Sequence, residues 1–88
     1  MINIDIAGTG RNIKRLREAR GISVNELAAN FLYSTPQAIY NWQQGKNLPE
    51  PASMLMLGKL FGIPVEQIYC YTDDSPRADE PTGSSVTF

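Results

Sequence analysis

The sequence predicts an all-α fold, compact and built of five short helices, and three observations lead there. Apolar residues recur at helical spacing in successive short windows. Capping residues open those windows: Ser23 with Glu26 three positions on, and Thr35 followed by Pro36. Gly21, Gly45 and Gly62 close them. The chain has 88 residues, enough for one domain with a single core.

Ile2, Ile4 and Ile6 alternate with Asn3 and Asp5, a strand period only five residues long. Two readings stand for this arm over residues 1–8: an extended segment, or a frayed terminus with a few apolar contacts. Thr9 is expected to cap a first helix running to about Ala19, with Ile13 and Leu16 facing inward and Gly21 ending it. Its other face carries Arg11, Lys14, Arg15 and Glu18. Ser23 and Glu26 form a capping box for the second helix, whose apolar stripe is Leu27, Ala28 and Phe31. Leu32, Tyr33 and Ser34 make the turn.

Thr35 caps the third helix and Pro36 takes its first position, where a missing N–H costs nothing. That helix spans residues 36–44. Ala38, Ile39 and Trp42 form its inner face; Gln37, Tyr40, Asn41 and Gln44 fall on the opposite side. A stripe of amides with a tyrosine offers hydrogen bonds without fixed charge. Pro51 opens a fourth helix with Glu50 at its cap, and Met54, Leu57, Gly58 and Phe61 give its core stripe. A short fifth helix is expected from Pro64 to Ile68 or Tyr69. Beyond Tyr71, Asp, Ser, Pro, Thr and Gly dominate, so residues 72–88 read as a flexible acidic tail. The domain proper is thus residues 9–71.

Composition narrows the function. One cysteine, Cys70, and no histidine preclude an intramolecular disulfide and a zinc-ligand set. No cofactor is expected. The missing histidine also removes the commonest general base, and no nucleophile–base pair or phosphate loop appears, so an enzyme is not expected. No run of about 20 uncharged apolar residues exists, and residues 1–10 lack a signal-peptide pattern, which makes a cytoplasmic location the expectation. Residues 1–69 carry seven basic against five acidic side chains, a net of +2; residues 70–88 carry one against four, a net of −3. A mildly basic body permits nucleic-acid binding without demanding it.

Five short helices with a tight connection between the second and third suggest a helix-turn-helix. The residues also resemble a family over roughly positions 10–69. The elements are Ile13, Lys14, Arg15, Leu16 and Arg17; then Arg20, Gly21, Ile22 and Ser23; then Glu26, Leu27 and Ala28. They continue with Ala38, Ile39, Tyr40, Asn41 and Trp42, then Gly45, Pro49, and Leu57 through Ile63. This ordered set resembles the phage repressor/Cro-like (XRE) helix-turn-helix family. The resemblance implies a lambda-repressor-like DNA-binding domain with helices 2 and 3 as the helix-turn-helix.

Three departures from the family pattern stand out. The spacing from Ser23 to Trp42 is one residue longer, an insertion placed within residues 30–34 that either the turn or a longer second helix absorbs. Val24 stands where the family often has a phosphate-touching glutamine, leaving that contact to Asn25. Gln43 stands where the family usually has a glutamate paired with the first helix's arginine, here Arg17. A charge-to-amide hydrogen bond is then expected, with Arg17 left freer for phosphate.

The resemblance implies sequence-specific binding of double-stranded DNA by a transcriptional regulator, a repressor by expectation, with residues 36–44 in the major groove. Glutamine and asparagine each offer a donor and an acceptor to an adenine edge, so the expected base contacts are Gln37, Asn41 and Tyr40, with Thr35 and Pro36 beside a thymine methyl or the backbone. Expected phosphate contacts are Arg11, Arg17, Asn25, Gln44, Lys46 and Asn47. Arg11, Lys14 and Arg15 read equally well as solvent face. So few cations favour a homodimer through helices 4 and 5, with Leu55, Met56, Leu60 and Val65 on the shared surface and Ile68 and Tyr69 at its edge. Two other functions fit: an antitoxin whose acidic tail binds a protein partner, or a protein-interaction adaptor of the same fold that does not bind DNA.

Overall fold

A computed structural model describes residues 1–31 and 34–73. The elements in order are β1 (Ile2–Ile4), α1 (Ile6–Ala19), α2 (Val24–Ala28), α3 (Pro36–Gln43), α4 (Pro51–Phe61), a single 3-10 turn (Val65–Gln67) and β2 (Tyr71–Asp73). Four α-helices are present among the described residues, not five. The expected fifth is a 3-10 turn, with Pro64 at its N-cap and Ile68 at its C-cap. The strands pair antiparallel, Ile2 opposite Asp73 and Ile4 opposite Tyr71.

Helix α1 begins four residues earlier than its sequence suggests. Asp5, not Thr9, is the N-cap, and its carboxylate accepts from the Gly8 amide at 2.9 Å. The boundary expected between residues 8 and 9 therefore falls inside α1. Thr9 is fully buried, and its Oγ1 accepts the Cys70 amide at 2.8 Å. The Asp5 amide donates to the Cys70 carbonyl at 2.7 Å. Together these bonds seat the paired strands against the start of α1. Thr72 and Asp73, assigned to the tail, belong to β2; residues 74–88 lie outside the described residues, as do Leu32 and Tyr33.

The far end of α1 closes as the sequence predicts. Gly21 sits at φ 67°, its amide donating to the Glu18 carbonyl and that of Ile22 to the Arg17 carbonyl, which satisfies two terminal carbonyls at once. Ser23 and Glu26 make the capping box reciprocally, at 3.0 and 2.8 Å. Helix α2 nonetheless ends at Ala28. The inserted residue is thus taken up in the connection, and α2 is not lengthened.

The core joins all four helices: Ile13 and Leu16 of α1, Val24 and Leu27 of α2, Ile39 and Trp42 of α3, Met54, Leu57 and Phe61 of α4, and Ile68 after the 3-10 turn. Burying each large aliphatic side chain contributes about 1.5–3 kcal/mol. Phe31 meets the Trp42 ring edge-on, centroids 5.6 Å apart. Ile68, expected at a dimer edge, has no exposed surface and is a core residue. Val24, which replaces the family glutamine, is likewise buried.

Arg20, itself exposed, ties the end of α1 to the end of α4. Arg20 donates twice to the Phe61 carbonyl, at 2.7 and 3.1 Å, and once to that of Leu16, with its guanidinium 5.2 Å over the Phe61 ring. A cation there meets the negative end of α4. Asn12 donates to the Ile68 carbonyl at 3.0 Å, tying the 3-10 turn to α1.

Candidate nucleic-acid interface

Helix α3 is oriented by what lies behind it. Ile39 has no exposed surface and Trp42 retains 6%, which anchors one side of the helix between α1 and α2. The crossing with α1 is close because Gly10 lacks a side chain: a Cβ there would collide with the Trp42 carbonyl oxygen and stand 2.9 Å from that of Gln43. Arg17 adds a polar tie. Its Nε donates to Gln43 Oε1 at 2.9 Å and its Nη1 to the Ile22 carbonyl at 2.7 Å. One guanidinium thus links α1, the approach to α2, and the last turn of α3.

The opposite face of α3 is open. Gln37 and Tyr40 are exposed, Tyr40 at 45%, and Asn41 is half-buried. Gln37 Nε2 donates to Asn41 Oδ1 at 3.1 Å. Thr35 and Pro36 are exposed at the start of the helix, where Thr35 Oγ1 accepts the Ala38 amide at 3.3 Å. The five expected base-contacting residues, Thr35, Pro36, Gln37, Tyr40 and Asn41, therefore lie along one side of a single helix, from its N-cap into its second turn.

The expected phosphate contacts divide. Arg11, Asn25, Gln44, Lys46 and Asn47 are exposed. Arg11 stands 4.0 Å from Asp5 with 71% of its side chain accessible, too loose a pair to hold it. Arg17 is different: 11% of its side chain is accessible, and it is committed to Gln43, the Ile22 carbonyl and Glu18. The charge-to-amide bond is present, but it does not release Arg17 toward phosphate. A neutral Gln43 leaves the cation to satisfy the carbonyl before α2 as well, and that occupies it. Arg20, also directed inward, and Asn12 were missed as bracing residues; their partners are backbone carbonyls 41 and 56 residues away, which no local pattern reveals.

Among the described residues no group of His, Cys, Asp and Glu could hold a metal ion, and no helix is long and apolar enough to cross a membrane.

Solved structures share this architecture. The restriction-modification controller protein C.AhdI from Aeromonas hydrophila matches with a TM-score of 0.65 at 20% identity, over 73% of this chain and 96% of that one. The DNA-binding domain of BldD matches with a TM-score of 0.64 at 13% identity, over 75% and 94%. The resemblance to the phage repressor/Cro-like helix-turn-helix family holds at the level of fold. No family model and no curated protein matches the sequence. At these identities the likeness is one of backbone.

Proposed function

We propose that the chain binds double-stranded DNA in a sequence-specific manner and acts as a transcriptional regulator, in the sense of a repressor, with no enzymatic activity. The observation that carries this reading is the two-sided character of α3: Ile39 and Trp42 are sunk into the core, while Gln37 and Tyr40 are exposed and Asn41 half-buried on the opposite side among the described residues. The major groove admits an α-helix and displays a distinct donor and acceptor pattern for each base pair. Residues near the start of such a helix reach base edges, which is where Thr35, Pro36 and Gln37 stand. The named roles of the two structural neighbours, control of restriction-modification and DNA binding, support the same reading.

In this proposal Arg11, Asn25, Gln44, Lys46 and Asn47 meet phosphates, and most affinity comes from them. So few cations make a single copy a weak binder with a shallow salt dependence. Two copies on a two-fold site, with half-sites about 34 Å apart or a multiple of that, double the contacts. Leu55 at 62% exposure and Met56 at 38%, with Val65 half-buried beside Leu55 in a shallow apolar groove, supply the surface for that pairing. The test is selection from a random duplex pool at stated salt, with Gln37→Ala alongside. A roughly palindromic site should emerge, with preference at one or two positions per half-site lost in the variant. Enrichment of no site at low salt would refute the reading.

A further inference from the structure

Within that DNA-reading proposal, we infer that Gln37 and Asn41 act as one coupled reading unit, specifying adenine at one position and disfavouring cytosine, the one base without a major-groove acceptor, at a neighbouring one. The inference rests on the Gln37 Nε2 to Asn41 Oδ1 hydrogen bond of 3.1 Å, on the outward face of α3.

A side-chain amide has two N–H donors and a carbonyl with two lone pairs. The bond uses one N–H of Gln37 and leaves it the other, together with all of Oε1. That residual pair is what an adenine requires: Oε1 accepts from N6, and the free N–H donates to N7. Gln37 thus keeps its full bidentate capacity while its amide plane is held. Asn41 is affected differently. Its Oδ1 is turned toward Gln37, so the group it presents outward is Nδ2, a donor. A donor suits guanine O6 and N7, thymine O4 or adenine N7, and is mismatched to the N4 amino group of cytosine.

The spacing supports a shared footprint. Residues four apart on one helix face rise about 6 Å, while stacked base pairs rise about 3.4 Å per strand. A helix lying along the groove sets the two backbone positions about two base pairs apart, and the 3.1 Å bond draws the amides to about one. Tyr40 adjoins the pair but makes no bond to either amide among those found, so the coupling is confined to two residues.

The experiment is duplex selection, followed by competition binding on the selected duplex and its single-base variants, using the natural chain, Asn41→Ala, Asn41→Asp and Gln37→Ala. Thermal unfolding of each variant checks that the domain remains folded. Removing Asn41 should lower discrimination for adenine at the Gln37 position by about threefold or more, the low end of coupling between touching residues, besides erasing preference at the neighbouring position. Asn41→Asp is the sharper probe. Its carboxylate still accepts from Gln37, so adenine preference should survive, while an acceptor replaces the outward donor and the neighbouring position should switch toward cytosine. The coupling is refuted if Asn41→Ala leaves adenine discrimination unchanged on a site that the natural chain does select. A natural chain that selects nothing overturns the coupling together with the DNA reading beneath it.

Discussion

Replacing Gly10 by alanine should destabilise this domain markedly, although the same change in an ordinary helix interior stabilises by about 0.5–1 kcal/mol. The added methyl would overlap the Trp42 carbonyl oxygen and press on that of Gln43. Both belong to backbone, so no side chain can swing aside. Relief requires α1 to withdraw from α3 by about 1 Å to regain ordinary van der Waals separation. Overpacking of this kind costs about 1–3 kcal/mol. The withdrawal also stretches the Arg17–Gln43 bond, now 2.9 Å, and bonds to charged groups are worth about 1.5–3 kcal/mol. Allowing for partial loss and for the intrinsic alanine gain, the net is about 2–4 kcal/mol. In a domain this size that lowers Tm by on the order of 10–20 °C. Trp42 is the only tryptophan and is buried, so its fluorescence in a urea or thermal titration reads the transition directly. Gly21→Ala is the companion measurement: nothing lies within 4 Å of its added methyl, but φ is +67°, and left-handed strain alone costs about 1–2 kcal/mol. A Gly10→Ala protein as stable as its parent would refute the claim that backbone contact at this crossing sets the seat of α3.

Arg17→Met should cost about 2–3 kcal/mol in urea denaturation, because it removes a buried cation that serves two hydrogen bonds. Arg11→Ala should alter stability by no more than about 0.5 kcal/mol, yet reduce the salt slope of DNA binding by about one; equal effects of the two variants on that slope would contradict the division between bracing and exposed cations. The Glu26 carboxyl is held below the usual glutamate range, first by the Ser23 amide it accepts from and then by the Ser23 hydroxyl. Its stabilising contribution is therefore complete above about pH 4.3 and disappears as pH falls through the lower folded-state value. Glu26→Gln keeps the box without the titration, so its stability curve, followed by circular dichroism, should be flatter in acid than that of the natural chain.

Much of this architecture was written locally. The Ser23–Glu26 box, Thr35 with Pro36, and the glycines at 21, 45 and 62 each act within a few residues; the starts of α2 and α3 are where they were expected, while α2 ends at Ala28, short of Phe31, and α3 at Gln43, one residue short of 44. The errors fall where distant partners decide. Thr9 looks like a cap from its residue type; the helix starts earlier because Asp5 caps it, Thr9 finds the Cys70 amide, 61 residues on, and Gly10 finds α3. The strand over Ile2–Ile4 needed residues 71–73 to exist at all, and a two-stranded ribbon has little stability without packing. At the candidate site the open amide face was legible from the i, i+4 spacing of Gln37 and Asn41, whereas the withdrawal of Arg17 was not. Its fate depends on the Ile22 carbonyl, whose position is fixed only once the Gly21 turn is formed.

The division of cations bears on how such a domain could read DNA at all. Of seven basic side chains in residues 1–69, Arg17 and Arg20 direct their hydrogen bonds into the chain's own carbonyls. Those two charges hold α3 and the end of α4 in place and contribute little to a phosphate footprint. What remains is a sparse set of exposed cations around a neutral, amide-bearing helix face. Phosphate contacts raise affinity for every sequence alike, while base-edge contacts separate one sequence from another. On the proposed function, then, this surface favours discrimination over general affinity, and a second copy would be needed to make binding tight. It follows that added salt should weaken binding to the selected site and to random duplex by similar small factors, leaving their ratio nearly constant.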